Sequence, residues 1–295
     1  VTTSLQSNNS WERSIRLASQ GGQGSGGVKA PKGMIDLFPM ANGKRPTAAN
    51  NYNSFLFFRD RDPRFYNDIV FDGQKLVQGT MPANIESNRY TNLHTGGSYR
   101  DERSGSRTGY LLYKFTPRTS NRFDQGYAYG QNLNIKLPYM RLADIYIMYA
   151  EAVTAGYNSA NAKDPSFSKS AVDAINVIRD RAGVGHVASQ FTADPAEFMK
   201  EVRRERAVEL SFEGHRFNDL RRWLLLIEQP YTLKTAAEFD RAAPLNTALD
   251  PKLNRVVNYR ERVILQRPFT QKHYWLPLKR ADVNIYPQFS QNPGW

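Results

Sequence analysis

Four successive stretches between Pro138 and Glu228 repeat apolar residues at three- and four-residue spacing, and each is bounded by residues that start or stop a helix. Such periodicity gives every segment one apolar face, which has to be buried against another. In the first, Leu142, Ile145, Tyr146, Tyr149 and Val153 recur in this way; Pro138 suits the opening turn and Gly156 a stop. The second, from Ser168 or Ser170 to Arg181, aligns Val172, Ile175 and Ile178 ahead of Gly183. The third opens on Asp194, Pro195 and Glu197, an acidic form of the capping box, and is expected to close at Gly214. The fourth, His215 to about Glu228, carries Phe217, Leu220, Trp223, Leu224 and Ile227. Two stacked helix pairs of the tetratricopeptide kind are expected, without a strict sequence repeat.

The flanks read differently. Val1 to about Arg45 is rich in Ser, Asn and Gly, including the run Gly21 to Gly27, and holds too little apolar surface to order itself. Between Phe55 and Tyr113, short runs such as Ile69-Val70-Phe71 and Tyr110-Leu111-Leu112-Tyr113 are separated by Gly, Pro and Asn, which predicts short strands and long connections. Prolines and short apolar pieces return from Pro230 to Trp295. The expected fold is therefore mainly α: tetratricopeptide-like helix pairs with long irregular loops and a few short strands. It divides into a loop-rich, ligand-facing part (1–137), the helical pairs (138–229) and an irregular closing segment (230–295).

A chain of 295 residues is long enough to bury a genuine core, and no apolar run approaches the roughly 20 residues of a membrane-spanning helix. There is no cysteine, hence no disulfide, thiolate metal site or cysteine nucleophile. Val1 to Trp11 lacks the pattern of a secretory signal, so any targeting segment is expected to have been removed or to lie upstream. The net charge of +12 raises the question of nucleic acid. The arginines are scattered, however, and the densest group, Arg203, Arg204 and Arg206, alternates with Glu201, Glu205 and Glu209. That is an ion-pair pattern, and the basic balance fits a surface that attracts anionic ligands better than a nucleic-acid interface.

Glu205, Glu209 and Glu213 follow one another at four-residue spacing beside Phe198, Val202 and Phe212. A carboxylate row can serve glycoside hydrolysis or a di-metal centre, but these need a carboxyl pair flanking the bond or histidines at helical spacing. His215 is the only nearby histidine, whereas Arg203, Arg206, Arg216, Arg221 and Arg222 outnumber the acids. Guanidinium forks keep carboxylates ionised and occupied, so the row is read as a structural ion-pair network rather than a catalytic one. His94, His186, His215 and His273 match no catalytic or metal spacing, and the glycine run lacks a preceding strand and a following Gly-Lys-Ser. Trp11, Tyr99, Tyr127 and Tyr129 stand in polar, glycine-containing surroundings near Arg100, Asn121, Arg122 and Asp124. A sugar ring stacks its C–H face on such aromatics while its hydroxyls reach Arg, Asn and Asp, and these eight residues are the candidate ligand contacts. The competing reading is that the aromatics pin long loops to the core.

Several blocks resemble one family. Pro31 to Pro46, with its Phe-Pro-Met and Asn-Gly pair, Arg61-Asp62-Pro63-Arg64-Phe65, Leu137 to Ala152, Asn176 to Val184, Glu205 to Trp223 and the closing Gln291-Asn292-Pro293-Gly294-Trp295 resemble, in the same order, the motifs of SusD/RagB outer-membrane nutrient-binding lipoproteins. The resemblance implies an all-α fold containing tetratricopeptide units, lipid anchorage on the cell-surface side of the outer membrane, and partnership with a SusC-like TonB-dependent transporter. It also implies a larger N-terminal helical portion and a lipidated cysteine, neither of which this sequence contains, so the sequence reads as a C-terminal portion. The structural network is expected to comprise Arg141, Asp144, Glu205, Glu209, Glu213, Arg216, Asp219, Arg222 and Trp223. Non-catalytic capture of oligosaccharide is the expected function, with no cofactor, no metal and no nucleic-acid partner. Peptide cargo, a glycoside hydrolase using the glutamate row, and a purely structural surface module are the alternatives.

Overall fold

The computed structural model describes residues 2–5, 30–100, 105–116, 123, 135–285 and 288–295. In chain order come β1 (Thr2–Leu5), α1 (Lys32–Ile35), α2 (Pro63–Asp68), β2 (Ile69–Val70), β3 (Leu111–Leu112), β4 (Ile135–Pro138), α3 (Leu142–Tyr157), α4 (Ala171–Ala182), α5 (Ser189–Thr192), α6 (Pro195–Glu209), α7 (Arg216–Arg222), β5 (Leu233–Arg241), β6 (Val256–Gln266) and α8 (Arg280–Ile285). The described strands pair antiparallel, two by two: β1 with β4, β2 with β3, β5 with β6.

Local chemistry sets the helix ends. Ser170 accepts from the Asp173 amide while Asp173 bonds back to the Ser170 amide, a complete capping box that starts α4, and Gly183 stops it in the left-handed conformation. Asp194 accepts from the Ala196 amide with Pro195 in the first turn of α6. Other boundaries differ from expectation. Pro138 ends strand β4, and α3 starts only after an extended Arg141 and runs through Gly156, to stop where Asn158 turns left-handed. Helix α6 stops at Glu209 rather than Gly214, because the chain turns through Phe212 (φ +61°) and Gly214 (φ +90°). Helix α7 stops at Arg222, with Leu224 at φ +58°.

Helix α3 packs against α4 and α6, so consecutive helices do pair, in keeping with a tetratricopeptide-like arrangement. Ile147, Ala150, Ala174, Ile175, Phe198 and Val202 fill the space between them. A second core joins the loop-rich part to α6 and the closing segment through Phe38, Phe57, Phe58, Phe65, Phe71, Val208 and Phe239. The closing segment is regular in its first part. Strands β5 and β6 form a long hairpin, Leu233 opposite Gln266 and Arg241 opposite Val256, with register shifts after Lys234 and Glu238. Thr235 to Phe239 are buried without interruption, so β5 lacks the in–out alternation by which a half-buried strand is recognised.

Candidate functional site

Helix α6 is buried on nearly every side although it carries Glu201, Glu205 and Glu209 in a row. Desolvating a carboxylate is costly unless a counter-charge and hydrogen bonds replace the lost water. Each of these is met by guanidinium groups from other parts of the chain. Glu205 accepts from Arg64 Nη1 at 2.5 Å and from Arg179 Nε at 2.9 Å. Glu201 accepts from Arg45 at 2.8 Å and Arg179 at 3.3 Å. Glu209 is ringed by Arg141 at 2.7 Å, Arg181 at 2.5 Å and Arg64 at 3.0 Å. Glu213, in the turn beyond the helix, takes both Arg141 and Lys114. Asp62, which caps α2, also holds Arg64 by a 2.8 Å bond and so aims it at the row.

The electrostatics follow. Burial disfavours ionisation of Glu205, yet Arg64 and Arg179 outweigh it and hold the carboxyl at about 2. Burial is likewise outweighed at Glu209, by the bonds from Arg181 and Arg141. These groups stay ionised and occupied, and acid–base chemistry needs a carboxyl free to exchange a proton near neutrality. A cleft of about 420 Å³ opens beside the row, with Lys114, Phe115, Arg141, Arg181 and Glu213 in its walls. One of its lining carboxyls, Asp68, is pushed up by burial against the pull of Lys114, and it accepts a 2.7 Å bond from Ser211. Among the described residues no group of three or more His, Asp or Glu is arranged to hold a metal ion.

A second network ties α3, α6 and α7. Arg206 bonds to Asp144 and, at 2.8 Å, to Asp219; Arg222 bonds to Asp219 at 3.0 Å and to Glu151 at 2.6 and 2.8 Å. Trp223 donates its indole N–H to Glu151 at 2.7 Å and lies under the guanidinium of Arg222. Of the nine residues expected in the structural network, eight meet in these two clusters. Arg216 stands at the edge of the second cluster: its guanidinium sits 5.4 Å from the Tyr231 ring and feels the charge of Asp219. Sequence reasoning missed Arg64, Arg179, Glu151 and Lys114 as partners. Arg179 left a signal in its own helix, a charged residue directly following Ile175 and Ile178 on the buried side of α4.

The candidate ligand contacts fare differently. Trp11, Asn121, Arg122, Asp124, Tyr127 and Tyr129 lie outside the described residues. Tyr99 is 6% exposed, packs in a small core cluster with Leu76, Leu93 and Leu111, and donates its hydroxyl to Asn88 O at 2.6 Å. It pins its loop and presents no face to a ligand, which corrects the expectation for this residue. Arg100 points inward too. Its guanidinium is 3.8 Å from Glu238, burial lowers its pKa, and its Nη1 is buried with no hydrogen-bond partner.

Among the described residues no helix is long and apolar enough to cross a membrane. A search of the curated proteins finds no match to the sequence. Among solved structures, a SusD-like protein from Bacteroides fragilis NCTC 9343 superposes with a TM-score of 0.74 at 22% identity, over 100% of this chain and 53% of the other. A SusD-like carbohydrate binding protein from the same organism gives 0.64 at 20% identity, over 96% of this chain and 53% of the other. At these identities the likeness is one of fold, and the chain spans about half the length of both relatives. The sequence model of the SusD family matches residues 2–295. With a match of that extent, the chain belongs to the SusD family.

Proposed function

We propose that the chain binds oligosaccharide without cleaving it, as part of a cell-surface protein held on the outer membrane by an N-terminal lipid and partnered with a SusC-like TonB-dependent transporter. The observation that carries the non-catalytic part is the guanidinium enclosure of Glu201, Glu205, Glu209 and Glu213, which leaves the row with a structural task. Glycan as cargo draws support from the fold shared with a SusD-like carbohydrate binding protein. The contacts are assigned to Trp11, Asn121, Arg122, Asp124, Tyr127 and Tyr129, where flat rings alternate with hydrogen-bonding side chains. Millimolar affinity, about −4 kcal/mol, suffices for capture when a transporter supplies the rest of the enclosure. The test is calorimetric titration with a panel of neutral and acidic oligosaccharides and peptides. Heat with the sugars alone supports the reading; heat with peptides alone moves the protein to the peptide-binding side of the family.

Hydrolysis is a second reading that one observation favours. Burial pushes the Asp68 pKa up while the guanidinium bonds hold Glu209 down, and both line the same cleft, two carboxyls with their pKa values moved apart as glycosidases use. Sugar release that disappears in Asp68→Asn would establish it.

A further inference from the structure

The cleft of about 420 Å³ beside the acidic row has the size of a small-molecule pocket, for which about 300–1,000 Å³ is usual. Its walls come from distant parts of the chain: helix α2, the turn after β3, the approach to α3, and the ends of α4 and α6. Bonding between these parts fixes them. Lys114 donates to Glu213 at 2.8 Å, Arg141 donates to Glu209 and to Glu213 at 2.7 Å each, and Ser211 donates to Asp68 at 2.7 Å. Walls set in this way leave a ligand little ordering to impose.

Two wall residues exceed what a scaffold needs. Arg181 has a side chain 57% exposed; its Nη2 donates to Glu209 at 2.5 Å, and among the described residues its Nε and Nη1 make no hydrogen bond. Glu209 already serves Arg141 and Arg64, so the charge of Arg181 is only partly answered. The other acids of the wall are matched: Glu213 by Lys114 and Arg141, Asp68 by Lys114 at 3.6 Å. Phe115 lines the cleft at φ +63°, a left-handed conformation that a bulky side chain avoids. The surrounding bonds impose it: the Thr116 amide donates to Tyr113 O at 3.0 Å, the Thr116 hydroxyl to Leu112 O at 3.1 Å, and the Tyr113 amide to Asp68 O at 2.7 Å. Strain held in this manner gathers at ligand sites. A guanidinium with donors to spare suits a carboxylate, and a ring in the same cleft suits the C–H face of a pyranose.

We propose that this cleft binds an acidic sugar unit, a hexuronate, with Arg181 taking the carboxylate and Phe115 stacking on the sugar ring. This rests on the glycan-binding reading and names a ligand class for it.

The test is titration with glucuronate, glucose and acetate followed by ligand-observed NMR, which reads millimolar affinities, repeated with Arg181→Gln and Phe115→Gly. None of these ligands has a bond to cleave, so binding is read apart from hydrolysis. In Arg181→Gln the Glu209 carboxylate keeps Arg141 and Arg64, and glycine suits φ +63°, so both variants should keep the parent's thermal midpoint. Expected are binding of glucuronate in preference to glucose and acetate, an affinity lower by about tenfold in Arg181→Gln, and a weakening in Phe115→Gly. Unchanged glucuronate affinity in Arg181→Gln at an unchanged midpoint would overturn the site, as would glucose or acetate binding as well as glucuronate. No binding of glucuronate, with larger glycans still bound, would remove the site and leave glycan capture standing, whereas no binding of any sugar would remove both.

Discussion

Replacing Glu205 by Gln keeps the side chain's size and removes one charge from the middle of the buried row. Glu205 is 1% exposed and answers both Arg64 and Arg179. In the variant, two desolvated guanidinium groups lose their shared counter-charge. Breaking a buried pair in this way costs about 3–5 kcal/mol. The pKa gives an independent figure. A carboxyl held at about 2 against an ordinary 4.5 stabilises the folded state by about 3 kcal/mol. Because the folded pKa is depressed, that stabilisation is fully present above about pH 4.5 and is lost as the pH falls towards 2. Urea unfolding of both proteins at pH 7, 5, 4 and 3 separates the two quantities. Glu205→Gln should be about 3 kcal/mol less stable at pH 7, and its deficit should shrink as the pH drops through 4 and 3, since the parent loses the same interaction. A glutamate reserved for chemistry behaves otherwise, because active-site charges usually cost stability. A variant within about 1 kcal/mol of the parent at pH 7, or one whose deficit is constant with pH, would refute the structural assignment of the row.

Gly185→Ala should cost at least about 1–3 kcal/mol in thermal or urea unfolding, because a Cβ there would lie 2.2 Å from Asn42 O, a backbone atom that cannot swing aside. Tyr99→Phe should lose about 1 kcal/mol of stability with the Asn88 bond and leave sugar affinity unchanged; a drop in affinity at constant stability would return Tyr99 to the ligand site. Trp11→Ala should weaken oligosaccharide binding in calorimetry without moving the thermal midpoint, and unchanged affinity would remove Trp11 from the contacts.

The parts of the fold that were legible in sequence are those fixed locally. Ser170 and Asp173, Asp194 and Pro195, and Gly183 act within one turn, so their spacing carries the whole signal. The hairpin β5–β6 was not legible, because Ala236 and Ala237 have weak strand preference and the strand is buried on both faces. Early ends of α6 and α7 depend on left-handed turns at Phe212 and Leu224, residue types that give no warning of such a conformation. In the site, the excess of arginine over glutamate announced pairing, but not the partners: Arg64 stands 141 residues from Glu205, and only the folded chain brings them together.

The central claim, that the acidic row is scaffold and that sugar is bound but not broken, is tested most directly by recovering the oligosaccharide after a titration and measuring its chain length. Heat of binding with ligand of undiminished length is the expected result. Shortened chains, with the shortening abolished in Glu209→Gln or Asp68→Asn, would contradict it.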